Sequence, residues 1–531
     1  MCAVAVAMLA AHPVVRVGDG VVPANTAGDR VATASGVVQG ITLASGIHTF
    51  RGIPYAAPPV RDLRWKPPQP VAPWPGVRPA DRFAPQCMQN RLFGDMVFRN
   101  SGVSEDCLYL NVWTPDASAS AHRPVLVYFY GGGFVAGDGS EPRYDGESLA
   151  RRGIVVVTMS YRLGIFGFFA YPELSAASPQ HASGNYALLD QIAALEWVRR
   201  NIAAFGGDPD QVTIGGESAG SISVSALLAS PPAKGLFRAA IGESGAMFGA
   251  RAPVTLADAE RAGTAFAGHV GASSLAELRR IPAMRLLLDA SRPGVAPFAA
   301  TVDGYVLPKT PEAVYAAGDQ AHVPLLVGWN STERGYQFLL GSKAPTPEHF
   351  AATVRDLYGQ HAGEIFEHFP DSTDAEARES AIALASARFI TYGTWKWSEL
   401  QRQTSGEPVY RYLFARPRPQ MTAEGLEDLG EPAESPGGAV HSAEIEYALG
   451  NLATNRMFAW TAHDYAVSDT METYFANFIK SGNPNGAGLP NWPAAGAAAD
   501  AVPMIMWIDM RSHAEPAPHR DRFLLLDRLR K

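Results

Sequence analysis

Cysteine is scarce in this chain of 531 residues: Cys2, Cys87 and Cys107 are the only three. Three thiols cannot build a disulfide-stapled scaffold, and no clustered Cys/His set or H-E-x-x-H run offers the ligands of a zinc hydrolase. No metal and no organic cofactor is therefore expected. Long Lys/Arg runs are also lacking and the formal net charge is −8, which points away from nucleic acid and anionic membrane surfaces as partners. No apolar stretch approaches the ~20 residues that span a bilayer as a helix. The apolar runs, such as Pro124–Tyr130, have strand length.

What is present is globular material: 47% of residues are hydrophobic and 18% charged, enough for a large core. The length permits two domains, but no internal repeat or linker-bounded unit is visible, so residues 26–531 read as a single catalytic domain. Residues 1–25 read as a leader. Its apolar run Cys2–Ala11 (CAVAVAMLAA) is too short to span a membrane and suits the h-region of a secretory signal, although Met1 abuts it without the usual basic segment. The segment is thus a truncated signal or a disordered leader. The first implies a periplasmic or secreted protein, the second a cytoplasmic one. Cys87 and Cys107 lie 20 residues apart. In an exported protein they would oxidise and close a loop, with about 3 kcal/mol of stabilisation from chain entropy. In the cytosol they would be two buried thiols.

Residues 52–78 are rich in proline, which withholds backbone donors, and read as ordered loop. Beyond them apolar strands alternate with helical patterns. Pro124–Tyr130 (PVLVYFY), Ile154–Tyr161 (IVVVTMSY), Gln211–Ile214 (QVTI), Leu236–Ile241 (LFRAAI) and Val323–Val327 (VPLLV) read as strands. Ile192–Phe205 and Ser221–Ala229 read as helices. Nearly all-apolar strands in such alternation predict an α/β protein, with a mostly parallel central sheet covered by helices on both faces. Residues 255–300 and 345–400 read as helical cover, and 417–440 as a long exposed loop.

Gly216-Glu217-Ser218-Ala219-Gly220 falls between the QVTI strand and the next helix. A chain with 51 glycines can produce G-x-S-x-G by chance in a surface turn. The strand-before, helix-after context instead marks a serine held in a tight bend as a nucleophile. Flanking glycines remove the Cβ atoms that would clash where strand folds back into helix. A second glycine run, Gly131-Gly132-Gly133-Phe134, follows the PVLVYFY strand. No Lys-Ser/Thr follows it, so it is not a phosphate loop. Its amides at Gly132 and Gly133, with that of Ala219, are candidates for an oxyanion hole.

Taken together, these stretches resemble the type B carboxylesterase and cholinesterase family of α/β-hydrolases. The resemblance also runs through GIPYAAPP (52–59), SEDCLYLNVW (104–113), SYRLGIFGF (160–168), GNYALLDQ (184–191), FGGDP (205–209), HSAEIEYALGN (441–451) and SGNPN (481–485), in the family's order. It implies a triad of Ser218, Glu333 and His441. Glu333 sits in GWNSTERG, where the family pattern is N-x-D-E-G, so Thr332 and Arg334 depart from it. His441 opens a motif like H-x-x-E-I. By residue type alone these two are weak candidates, since most of the 13 histidines and most glutamates are solvated or structural; the chain order Ser, Glu, His is that of the fold. The resemblance further implies a Cys87–Cys107 disulfide, Arg64–Glu105 and Arg162–Asp190 ion pairs, and Glu217 and Ser244 as polar support behind the serine. Plain core polarity would explain those last two equally.

The reaction implied is hydrolysis of carboxylic esters through an acyl-enzyme, with a small-molecule ester and water as partners. Phe134, Phe168 and Phe169 are candidates to line an acyl pocket, though aromatics beside a buried strand are as often core. Cholinesterases carry a Trp in the first disulfide loop to hold a quaternary ammonium. Residues 88–106 contain none, which disfavours choline esters. The competing readings are a lipase or amidase on the same triad, or a non-catalytic binding protein of the same fold. The latter lose the serine or histidine, and both are present here. The sequon Asn330-Ser331-Thr332 beside Glu333 is read as coincidence.

Overall fold

A computed structural model describes residues 29–429, 437–496 and 502–530, so the leader reading lies outside the described residues. Eleven strands form the main sheet: β1 (Ile41–Thr42), β2 (His48–Pro54), β3 (Tyr109–Thr114), β4 (Arg123–Phe129), β5 (Val155–Met159), β6 (Gly207–Glu217), β7 (Ala239–Glu243), β8 (Leu325–Asn330), β9 (Val409–Phe414), β10 (Met504–Ile508) and β11 (His513–Pro516). Their spatial order is β1-β2-β3-β5-β4-β6-β7-β8-β9-β10-β11. The seven strands from β5 to β10 pair in parallel, and the pairings at both ends are antiparallel. All five residues of β5 (VVVTM) and of β7 (AAIGE) are buried. A strand hidden on both faces has no polar side to alternate with, so these strands read as continuous apolar runs.

The helices beside the sheet include α1 (Tyr186–Asn201), α2 (Ala219–Leu228), α3 (Asp374–Ser386), α4 (Tyr392–Thr404) and α5 (Ala462–Ser481). Two glycines show how both faces are covered. A Cβ at Gly242 would run into Trp397 of α4 and the Ser221 side chain of α2. A Cβ at Gly146, just before the short helix Glu147–Arg151, would meet Val156 and Trp113. Register puts Val156 and Trp113 opposite Leu126, Thr213 and Ala239, on the other face from Gly242. The mostly parallel sheet covered on both sides is the arrangement expected from the sequence.

Residues 255–300 do form helices (Leu256–His269, Leu275–Arg280, Ala283–Ala290), and they enclose a satellite core around Trp65, Phe169 and Phe266. Residues 345–400 supply Pro347–Tyr358, Ala362–His368, α3 and α4, with a π-helical turn at Ala387–Thr391 between the last two. The segment 417–440 departs from a plain loop: Ala423–Leu429 is helical, and 430–436 lie outside the described residues. Cys87 and Cys107 are joined by a disulfide. Arg64 meets both oxygens of Glu105 at 2.6 and 2.7 Å, and Arg162 meets both of Asp190 at 2.8 and 2.7 Å. Among the described residues no helix is long and apolar enough to cross a membrane.

Candidate active site

Ser218 sits where β6 ends and α2 begins, with φ 51° and ψ −115°. A non-glycine residue in that region is strained, and such strain persists only where the surroundings enforce it. The two glycines of the motif permit the bend by close approach. A Cβ on Gly220 would lie 1.9 Å from the Phe129 carbonyl oxygen, and one on Gly216 would lie 2.7 Å from the same atom. Strand β4 therefore presses against the turn and fixes its shape.

His441 Nε2 lies 2.9 Å from Ser218 Oγ, and Nδ1 lies 2.6 Å from Glu333 Oε2. With the proton on Nδ1, Nε2 accepts from the serine hydroxyl. The three residues thus stand in one hydrogen-bonded line although 108 and 223 positions separate His441 from its partners. Glu333 follows β8, and its other oxygen accepts from the Asn330 amide at 2.7 Å and from Ser244 Oγ at 2.7 Å. The loop carrying Glu333 is joined to the loop carrying His441 by main-chain pairing: Thr332 bridges Val440, the Thr332 amide donates to the Ala439 carbonyl at 2.9 Å, and Ser331 Oγ accepts from the Ala439 amide at 3.0 Å.

The glycine run turns past the serine with φ 113° at Gly132 and 64° at Gly133, values that favour glycine. Among the described residues neither amide donates to backbone or side chain. Ala219 is the first residue of α2, so helix geometry leaves its amide without an intrahelical acceptor. Phe134 and Phe168 meet edge to face at 5.0 Å. Phe169 points elsewhere: it is fully buried, stacks on Tyr171 and packs on Trp65 in the satellite core, so its place is in the helical cover rather than with Phe134.

Sequence reasoning singled out Glu217 and Ser244, and both are buried, Glu217 beside the histidine and Ser244 against Glu333. Glu217 Oε1 accepts from Ser442 Oγ at 2.6 Å and lies 3.3 Å from His441 Nε2. Ser244 reveals a third acid that it missed, Glu444. Ser244 Oγ is 2.7 Å from Glu333 and 2.8 Å from Glu444 Oε1, yet a hydroxyl has one proton to give. One carboxyl must therefore be the donor. Burial, reinforced by Glu217 and Glu333, pushes Glu444 up to about 8, so Glu444 is the neutral one. It donates to Ser244, and Ser244 donates to Glu333; the Asn330 side chain donates to Glu444 Oε2 at 2.6 Å. That bond and its burial make Asn330 a structural residue, in keeping with the sequon being coincidental.

Burial also raises Glu217, against the pull of His441. On the imidazole itself burial acts downward, but the nearby charges of Glu217 and Glu333 outweigh it and lift His441 to about 8. A second missed neighbour is Phe389, from the π-helical turn, whose ring meets His441 edge to face at 5.0 Å. The only signal for Glu444 was its place in HSAEIEY, and Phe389 had none. Among the described residues no cluster of side chains is suited to a metal ion.

The chain is similar to known proteins over most of its length. The sequence profile described as "Carboxylesterase family" matches residues 27–515. Fumonisin B1 esterase of Sphingopyxis macrogoltabida is 35% identical over 483 residues, 87% of this chain and 83% of that protein. Para-nitrobenzyl esterase of Bacillus subtilis is 36% identical over 482 residues, 87% and 92% respectively. A solved PNB esterase superposes with a TM-score of 0.79 at 34% identity, covering 94% of this chain and 99% of the other. A carboxylesterase of Geobacillus stearothermophilus superposes at 0.78 and 31%, covering 94% and 99%. A family profile that spans most of the chain, with relatives and solved structures that share nearly its whole length, shows that this protein belongs to the carboxylesterase family, has the α/β-hydrolase fold and is a carboxylic ester hydrolase.

Proposed function

We propose that the chain hydrolyses small carboxylic esters through an acyl-enzyme on Ser218. The observation that carries this is the unbroken line Ser218–His441–Glu333, at 2.9 and 2.6 Å. His441 takes the serine proton as Oγ attacks the ester carbonyl, then gives it to the departing alcohol; water repeats the sequence to release the acid. Glu333 holds the imidazole in the useful tautomer and stabilises it when charged. The amides of Gly132, Gly133 and Ala219 receive the oxyanion, each removal costing roughly 3–4 kcal/mol of barrier. Phe134 and Phe168 face the acyl group. No cofactor takes part in this scheme. Residues 26–531 act as one catalytic domain, and the disulfide supports a periplasmic or secreted site of action, since cytosolic reductants oppose such bonds.

A fluorophosphonate probe tests the scheme. It should attach at Ser218 and abolish turnover of 4-nitrophenyl acetate, and Ser218→Ala should lower kcat by on the order of 10⁴-fold or more. Turnover surviving that substitution would remove Ser218 from the chemistry.

A further inference from the structure

Two arginines stand at the edge of this site without a carboxylate. Arg334, in the position where the family pattern has glycine, lays its guanidinium 3.9 Å from the centre of the Phe389 ring. Arg251, in the turn Gly249–Arg251 after β7, lies 5.3 Å from the same ring. Phe389 in turn packs on His441, so the two cations are one ring away from the catalytic imidazole. Among the described residues neither arginine forms a salt bridge, and the buried Arg334 Nε has no hydrogen-bond acceptor. Burial holds the Arg334 guanidinium below its ordinary value, and the like charge of Arg251 adds to this against the pull of Glu333 and Glu217.

The adjoining cleft continues the pattern. Arg251, Arg388, Arg530, Phe248 and Phe389 line it, and no Asp or Glu does. The two like charges repel, and the nearby carboxylates of Glu333 and Glu217 attract Arg334 through space without pairing with it. Packing on aromatics accounts for their position but supplies no acceptor, and the buried Nε of Arg334 has none.

We infer that Arg334 and Arg251 form a recognition site for a carboxylate on the substrate, so that the preferred esters carry a negative charge close to the scissile bond. The guanidinium fork matches a carboxylate with two parallel N–H···O bonds, and both cations lie against Phe389, the ring that packs on His441. This inference rests on the acyl-transfer reading above.

The test compares carboxylate esters with carboxamide isosteres that differ only in charge. Ethyl hydrogen glutarate against ethyl 4-carbamoylbutanoate puts the charge on the acyl side. 4-Acetoxybenzoate against 4-acetoxybenzamide puts it on the alcohol side. In at least one pair the carboxylate should be preferred about tenfold or more in kcat/KM, chiefly through KM. That ratio should shrink at high ionic strength and fall toward one in the Arg251→Met, Arg334→Met double variant, with Arg334→Lys retaining part of it. A merely structural role would move both members of a pair together and leave the ratio intact. A ratio at or below one in both pairs, or a ratio indifferent to the double substitution, overturns the inference while turnover of 4-nitrophenyl acetate leaves the acyl-transfer reading standing. Failure to turn over any of these esters removes both.

Discussion

At Arg162 and Asp190 two buried ions meet as equals: one guanidinium, one carboxylate, two bonds of 2.8 and 2.7 Å between them. At His441 the count is unequal. One imidazole faces Glu217 and Glu333, with Glu444 behind them and Glu243, also pushed upward by burial, nearby. The first arrangement neutralises its own burden and is a brace. The second leaves an excess of acid in a largely buried pocket, and the excess is resolved by moving protons: Glu444 keeps its own, and His441 holds one more firmly than a free imidazole would. A matched buried pair thus reports on folding, whereas a mismatched cluster reports on chemistry.

The largest expected effect that probes this contrast falls on the brace. Arg162→Met strands Asp190 in the core and should destabilise the protein by about 3–5 kcal/mol, while Arg162→Met with Asp190→Leu should recover most of it. Denaturant unfolding of the three proteins measures this, and equal stability of the single and double variants would break the comparison. Next comes the pH dependence of stability. His441 titrates higher in the folded state, near 8, than in the unfolded chain near 6.5, so its contribution is complete below about 6.5 and is lost as pH rises through about 8. Glu444, protonated up to about 8 when folded but only to its usual 4.5 when unfolded, acts in the same direction across that interval. The thermal midpoint should fall between about pH 6.5 and pH 8; a midpoint that climbs there would mean that the acids are balanced after all.

Under the proposed acyl transfer, activity should run the other way, because the base must be unprotonated to take the serine proton. kcat/KM for a neutral ester should rise with pH to a plateau beyond about 8. Glu217→Gln removes the strongest of the raising charges and should shift that midpoint down toward 6.5. An unmoved profile would assign the lift elsewhere. The smallest effect belongs to Glu444→Gln, which replaces a carboxyl protonated below about 8, and ranked last among the charges that lift His441, by an amide that can still donate to Ser244 and accept from Asn330. Its pH–rate midpoint should stay close to the parent's, and a shift as large as that of Glu217→Gln would show that Glu444 is charged.

The parts of this site that are legible in the sequence are those set by local backbone demands. The bend at Ser218 needs glycine on both sides because β4 runs against it, and three successive glycines after β4 have few other uses. The strands were legible because burial on both faces leaves an apolar run. Glu333 and His441 came chiefly through resemblance to a family, since residue type alone does not distinguish them from solvated residues of their kind. Glu444, Phe389 and the Thr332–Val440 bridge were out of reach, because each acquires its role by touching residues far away in the chain. The arginine at 334 was visible as a departure from a pattern, but its pairing with Arg251 across Phe389 is a property of the folded chain alone. Similarly, Phe168 and Phe169 look alike on paper and go to different places, one to the ring of Phe134 and one to the helical cover.

The bridge between Thr332 and Val440 is made of amides and carbonyls, which every residue but proline supplies in full. Side chains at either end are therefore free to depart from the family pattern, as the threonine at 332 does, while the span from residue 333 to residue 441 stays tethered. A relative with unfamiliar letters on these two loops need not have lost its catalytic line, provided that neither loop gains a proline at the join.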